Sequence, residues 1–277
     1  ALAQHTSTAR LSALVTGNTY RAPTLLAKTI TTLDIVSGGR AQLGIGAGWF
    51  ELEHQSLGFE FGTFTDRFEK LEEALQIIRG MLAGDRPSLD GRWYQVSDAI
   101  NSPPPVGRIP IMIGGGGEKK TLRLVAQYAD ESNLICGVDE IPRKLDALAS
   151  HCDALGRDRS EITVSFQARA CVAPTHDQAV AELDEALASR GLDPRTMNAE
   201  DAAATRGLIT HGDPDEIGEH FSELLTTGID GFTVSAIANG HVPDRVSLLG
   251  QTLSAVVGCA VPVGRPPVSG PGPGGDP

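Results

Sequence analysis

Short aliphatic runs alternating with amphipathic helical patterns constrain this chain most, because that alternation is the sequence signature of βαβ units and a parallel sheet. The first run covers residues 11–15 and is broken by Gly17 and Asn18. Pro23 suits the first turn of a helix whose apolar positions Leu26, Ile30, Leu33 and Val36 recur at helical spacing, and Gly38 with Gly39 supplies its stop. A second strand, residues 41–45, runs into Gly44, Gly46 and Gly48. After a loop comes the clearest helix, whose Phe64, Phe68, Leu71, Leu75, Ile78 and Leu82 trace one apolar face.

Residues 85–108 lack a helical period; residues 89–96 read as a small hairpin, Pro103, Pro104 and Pro105 as a rigid connector, and the whole as an insertion. Strands resume at residues 109–113, 134–135, 162–172 and 232–235, with helices near 122–129, 142–155, 178–189, after Asp213-Pro214, and near 244–257. Residues 191–210 stay unassigned. Six strand–helix units result, whereas a closed (β/α)8 barrel of about 250 residues needs eight. The expectation is therefore an α/β chain, a (β/α)8 TIM barrel lacking its first two βα units, with an open doubly wound sheet as the alternative. One domain over residues 1–261 carries the function, and residues 262–277, dense in Pro and Gly, read as a disordered tail.

A net charge of −12 argues against partners bound by phosphate neutralisation, so nucleic acid and anionic membranes give way to a small molecule. The cysteines Cys136, Cys152, Cys171 and Cys259 have no CxxC spacing, which favours a reducing cytoplasm over a disulfide or zinc framework. No apolar run reaches the roughly 18–20 residues that span a bilayer. His5, His151, His176, His211, His220 and His241 show no HxxxH or HExxH spacing, so no metal is expected.

The run Thr19-Tyr-Arg-Ala-Pro23, then Leu25-Leu-Ala-Lys28, Asp34 and Ser37-Gly-Gly-Arg-Ala-Gln-Leu-Gly-Ile-Gly-Ala-Gly-Trp49, resembles the bacterial luciferase-like family. The stretch Ile109-Pro-Ile-Met-Ile-Gly-Gly-Gly-Gly-Glu-Lys-Lys-Thr121 resembles its coenzyme F420-dependent subgroup, and the likeness continues to about Val257. It implies a luciferase-like barrel holding a flat flavin or deazaflavin at its C-terminal mouth, with hydride passing between that ring and a substrate stacked beside it. Members begin with two further βα units, which agrees with the strand count.

Three segments carry the site that the resemblance implies. The first is Ala13-Leu-Val-Thr-Gly17, where Ala13, Leu14 and Thr16 back the ring and many relatives hold a non-proline cis peptide, placed by alignment at Ala13–Leu14; a plain buried strand is the other reading. The second follows Ile113, where bare amides of Gly114, Gly115, Gly116 and Gly117 and the next helix start cradle a phosphate, a flexible turn being the alternative. Lys119 and Lys120 add charge there or are simply solvated. The third spans Gly44 to Trp49, whose Gly46 and Gly48 let the backbone approach a ring, followed by Glu53 and His54 as candidates for proton handling or as a structural contact.

Some F420-dependent sugar-phosphate dehydrogenases of the family place a catalytic Glu where Trp49 stands, so that acid–base mechanism does not transfer. Trp93 and Tyr94 either line the substrate entrance or pin the hairpin, and Asp130 reads as a cap or ion-pair residue. The function expected is F420-dependent hydride transfer to or from a small organic substrate. An FMN-dependent monooxygenase is the alternative, a non-catalytic barrel paralogue or inactive fragment the reading of another class. A homodimer is the assembly suggested by analogy.

Overall fold

A computed structural model describes residues 1–260; the tail read at residues 262–277 lies outside them. The chain divides into two units, Ala1–Ala168 with Thr226–Ser235, and Arg169–Leu225 with the residues from Ala236 onward. The first holds α1 (Leu2–His5), β1 (Thr16–Gly17), α2 (Pro23–Ser37), β2 (Leu43–Gly46), α3 (Glu51–Leu57) and α4 (Phe64–Ala83). It continues through β3 (Leu89–Asp90), β4 (Gln95–Val96), β5 (Ile111–Gly114), α5 (Thr121–Tyr128), β6 (Glu131–Leu134), α6 (Ile141–Leu155) and the first part of β7 (Thr163–Val172). The second holds the end of β7, α7 (His176–Ala188), α8 (Ala199–Arg206), β8 (Thr210–Gly212), α9 (Pro214–Leu225) and α10 (Pro243–Ala260), while β9 (Gly231–Ser235) belongs to the first.

In the first unit β1, β2, β5, β6 and β7 are successive parallel neighbours, and β9 also pairs with β7. Parallel strands covered on both faces read as continuous apolar runs, and Leu43, Ile45 and Ile113 are fully buried. Leu71, Ala74, Leu75, Ile77 and Ile78 of α4 join that core. Helix ends follow their chemistry: Pro23 opens α2, Gly38 closes it at φ 68°, and Thr63 and Asp66 form a reciprocal capping box on α4.

Two buried or half-buried carboxylates tie the connections down. Asp34 accepts from Ala41 N at 3.3 Å and from Val106 N at 2.8 Å, fixing the proline connector against the start of β2. Glu73 on α4 accepts the successive amides of Arg92, Trp93 and Tyr94 at 2.8, 2.9 and 2.9 Å, so the β3–β4 hairpin is clamped through its turn. Trp93 donates its indole N–H to Glu69 at 3.1 Å and lies under Lys70 and Arg92. These contacts give Trp93 the pinning role.

In the second unit β8 runs parallel to the end of β7, and Cys171, Leu183, Leu187, Ile209 and Ala238 form a core cluster. Asp184 takes Arg206 through both oxygens at 2.7 Å. Strand β8 and helix α8 lie where the sequence reading assigned nothing, so among the described residues the six expected strands become the seven of the larger sheet, apart from the β3–β4 hairpin. Thr-His-Gly carries no aliphatic signal, and its ladder rests on backbone pairing with Ala170, Cys171 and Val172.

The expected strand at residues 11–15 is the main local correction. Leu11 bridges Ala41 and Thr16 pairs with Ile45, so residues 12–15 stand opposite residues 42–44 and this segment carries one residue more than its neighbour. The surplus bulges rather than pairing. It contains a cis peptide at Leu14–Val15, one bond beyond the Ala13–Leu14 bond named from alignment. A Cβ on Gly44 would collide with the Ala13 carbonyl oxygen, and Cβ atoms on Gly46 and Gly114 would each stand 3.0 Å from a Val15 methyl. These glycines accommodate the bulge.

Gly44→Ala should therefore cost about 1–3 kcal/mol in urea unfolding, the range for overpacking a tight interior. Gly107→Ala, whose Cβ meets nothing within 4 Å, should cost less than about 0.5 kcal/mol. Equal losses in the two variants would contradict this packing.

Candidate functional site

Parallel register places several strand ends on one rim. Gly17 pairs with Gly46, Ile45 with Ile113, Gly114 with Asn133, and Asn133 with Ser165. Gly17, Gly46, Gly114 and Asn133 lie at or next to the C-terminal ends of β1, β2, β5 and β6, where α/β proteins bind ligands, while Ser165 lies near the start of the longer β7. Thr16, Gly46, Gly114 and the loops that follow them thus meet. Ile113 presents only backbone there, its side chain being fully buried. Leu14 is 47% exposed, and Thr16 Oγ1 accepts from the Arg21 guanidinium at 2.7 Å.

The glycine loop joins β5 to α5 under tight steric limits. Gly115 has φ +129° and donates its N–H to the Asn133 carbonyl at 2.9 Å. A Cβ on Gly116 would come within 2.7 Å of the Ile135 carbonyl oxygen, and one on Gly117 within 2.9 Å of Thr121 Oγ1. Lys120, at the N-cap of α5, makes no side-chain cap; the Leu122 amide donates to the Gly117 carbonyl at 3.0 Å, and those of Thr121 and Arg123 have no acceptor among the described residues. Its ammonium instead lies over Phe64 and Phe68 and donates to Thr65 Oγ1 at 3.3 Å. Lys119 is exposed.

Glu118 sits in the same loop, where a free carboxylate would cancel the positive helix end. Lys144 Nζ donates to it at 2.8 Å and Arg143 approaches to 3.3 Å. The Lys144 hydrogen bond, above all, holds its carboxyl below the ordinary range, and the two cations offset its charge. The same two cations also pair with Glu140, Arg143 at 2.5 Å and Lys144 at 3.5 Å, so side-chain charge beside the loop is balanced and the helix start remains its positive feature.

Glu53 and His54, adjacent on α3, occupy different environments. His54 is fully buried, with Nδ1 2.7 Å from the Phe50 carbonyl and Nε2 2.6 Å from Thr19 Oγ1. Its ring packs against Tyr20 and Phe61. Glu53 is exposed and accepts the Tyr20 hydroxyl. Burial, that hydrogen bond and the Glu53 charge push the Tyr20 phenol up to about 12. Gly48, at φ +80°, is held from the other side by Arg67, which donates to its carbonyl at 3.1 Å and to that of Gly62 at 2.9 Å.

Sequence reasoning missed Tyr20 and Asn133. Fully buried Asn133 donates to Ser165 Oγ and Thr233 Oγ1, each at 2.9 Å, and its Oδ1 has no partner among the described residues. Thr233 in turn donates to Gln167, which donates to Ser235 at 2.9 Å. The strand that carries Asn133 was read two or more residues late, because Glu131-Ser-Asn133 has no apolar signal. Asp130 fits its expected role, accepting from Ile111 N at 2.9 Å and pairing with Arg108.

A cavity of about 440 Å³ lies elsewhere, at the N-terminal side of β5, lined in part by Arg79, Arg108, Tyr128 and Arg157. Arg79 and Arg157 are spent on carbonyls at the end of α5, and Arg108 on Asp130. Cations at a helix C-terminus stabilise the helix, so this cavity is not the candidate site.

A family model described as luciferase-like monooxygenase matches residues 1–231. The chain is 29% identical over 244 residues to an F420-dependent glucose-6-phosphate dehydrogenase of Microbacterium testaceum, covering 84% of this chain and 68% of that protein. It is 27% identical over 238 residues to an FMNH(2)-dependent dimethylsulfone monooxygenase of Pseudomonas fluorescens, covering 82% of this chain and 62% of that protein. Its fold matches the coenzyme F420-dependent tetrahydromethanopterin reductase of Methanopyrus kandleri with a TM-score of 0.73 at 20% identity, over 91% of this chain and 84% of the other. The expected α/β barrel class is thus the class of its structural neighbours, and the chain belongs to the luciferase-like monooxygenase family.

Proposed function

We propose that this chain is an oxidoreductase that binds coenzyme F420 along the rim and transfers hydride between it and a small organic substrate. The observation that carries the reading is the glycine loop. It offers uncapped amides at the start of α5 in register with the glycine-packed ends of β1 and β2. Such amides suit the phosphate-bearing tail of the cofactor, and the buried Asn133 Oδ1 at the same level is an acceptor without a partner among the described residues. F420-dependent relatives support the choice of cofactor. An FMN-dependent relative over a similar span supports FMN monooxygenation as the second reading.

When bound, the deazaflavin supplies hydride donation or acceptance. The residues named here do the rest. Gly114, Gly115, Gly116 and Gly117 bind the tail; Ala13, Leu14, Thr16, Gly46, Gly48 and the Ile113 backbone form the support for the ring. Glu53 and His54, candidates for proton handling, divide that task with Tyr20. Glu53 holds the Tyr20 hydroxyl proton at the exposed edge, while buried His54 fixes Thr19 and the Tyr20 ring. Small-molecule partners, a cytoplasmic location and a homodimer complete the reading. Cys136, Cys152 and Cys171 are free thiols, and among the described residues no helix is long and apolar enough to cross a membrane.

Fluorescence titration should give saturable F420 binding, with FMN at least about tenfold weaker, and Gly116→Val should weaken F420 by about tenfold, equivalent to 1.4 kcal/mol, at unchanged circular dichroism. Tight FMN binding without F420 binding would favour the monooxygenase, and binding of neither would favour a non-catalytic paralogue.

The tyrosines give a pH test. Burial is the first cause raising Tyr20, Tyr94 and Tyr128 above 10.0, with Tyr20 reaching about 12. A raised folded value means stability that is complete below the unfolded value near 10 and is lost as pH climbs through the folded one. Absorbance near 295 nm should show little tyrosinate at pH about 10, where the unfolded chain is half ionised, and stability should fall between there and about 12. Half ionisation of the native protein at pH about 10 would contradict these environments.

A further inference from the structure

Trp49 stands three residues beyond Gly46 on the same rim, and it is 82% exposed. One face of its indole stacks on Phe50, with ring centroids 5.1 Å apart and planes at 23°. Phe50 itself is 44% exposed. The pair forms an aromatic shelf beside the strand ends. Leu14, in the bulge before the adjacent strand β1, is another large exposed apolar side chain, and Ile135 is a further one after β6, beyond β5, its carbonyl against Gly116. Scattered exposed hydrophobics need no explanation, but a stacked aromatic pair at the mouth of a binding rim does.

The charges around the shelf exclude one class of ligand. Glu51 and Glu53 follow it on the first turn of α3, both exposed. Arg67, the guanidinium that reaches this turn, is 9% exposed, donates to the Gly48 and Gly62 carbonyls and lies 3.7 Å over the Phe61 ring. Its hydrogen bonds thus turn inward while its charge meets Glu51, and Arg21 on the rim donates to Thr16, so the exposed charges that α3 adds beside the shelf are carboxylates. An anionic substrate such as a sugar phosphate meets repulsion there, whereas an uncharged ring gains stacking and apolar burial.

We infer that Trp49 with Phe50 is the substrate platform, and that the substrate is an uncharged, apolar, ring-bearing molecule carrying the alcohol or carbonyl that exchanges hydride. The inference rests on the F420 reading above. In the reaction, a secondary or primary alcohol loses hydride to the oxidised cofactor and its hydroxyl proton to solvent, becoming the carbonyl; the reverse consumes the reduced cofactor and a proton.

The test is calorimetric titration of the F420-loaded protein with benzyl alcohol and, separately, with glucose 6-phosphate. Benzyl alcohol should bind saturably, Trp49→Ala should weaken it about tenfold while leaving F420 affinity unchanged, and Trp49→Phe should retain affinity within about threefold, as aromatic stacking requires. Glucose 6-phosphate should give no saturable heat. Undiminished benzyl alcohol binding by Trp49→Ala, no benzyl alcohol binding by the loaded protein, or saturable glucose 6-phosphate binding would each overturn the platform. Failure of F420 to load would instead overturn the cofactor reading.

Discussion

The seating of Val15 on two glycines is the contact on which the rim depends. A segment with one residue more than its neighbour cannot keep its ladder, so the surplus rises from the sheet and needs room. Gly46 and Gly114 leave that room on the adjacent strands, and Gly44 leaves it for the Ala13 carbonyl. The same absence of side chains opens the strand ends. Packing and access are therefore one feature: what admits the bulge also leaves backbone as the main lining of the rim.

Electrostatics then divide the rim in two. Toward α5 the uncapped helix start keeps its positive character because Lys144 and Arg143 offset Glu118. Toward α3 the exposed charged groups of the first turn are carboxylates, and Arg67 donates inward. Such a division suits a ligand with an anionic tail at one end and an uncharged reacting end at the other. It also explains why the cavity between the ends of α4 and α5 is not the site, since its arginines answer to helix carbonyls and Asp130.

Much of this was legible in the residues. Pro23 and Gly38 bounded α2, the apolar spacing of Phe64 to Leu82 gave α4, and the glycine run lay between a strand and a helix as read. Other features were hidden because their cause is tertiary. β6 begins with Glu131, Ser132 and Asn133, of which Glu131 takes Arg10 and Gln42 and Asn133 joins a buried hydrogen-bonded group, so none presents an apolar face. β8 is Thr-His-Gly, paired through backbone alone in its ladder. The glycines of residues 44–48 were read as letting the backbone approach a ring; what the sequence did not reveal is that the bulge and Thr19 stand where side chains at Gly44, Gly46 and Gly48 would go. Tyr20 gained its role only through contact with Glu53 and His54, more than thirty residues away in the chain.

The central claim is that the amides of the glycine loop, beside the bulged end of the first strand, grip an anionic cofactor tail. The most direct measurement is the amide nitrogen–proton spectrum of isotope-labelled protein with and without F420. The account predicts shifts concentrated at Gly114, Gly115, Gly116, Gly117 and the first turn of α5, with Gly156 and Gly191 unmoved. Shifts centred instead on the Arg79 and Arg157 cavity, with the glycine loop unperturbed, would contradict it.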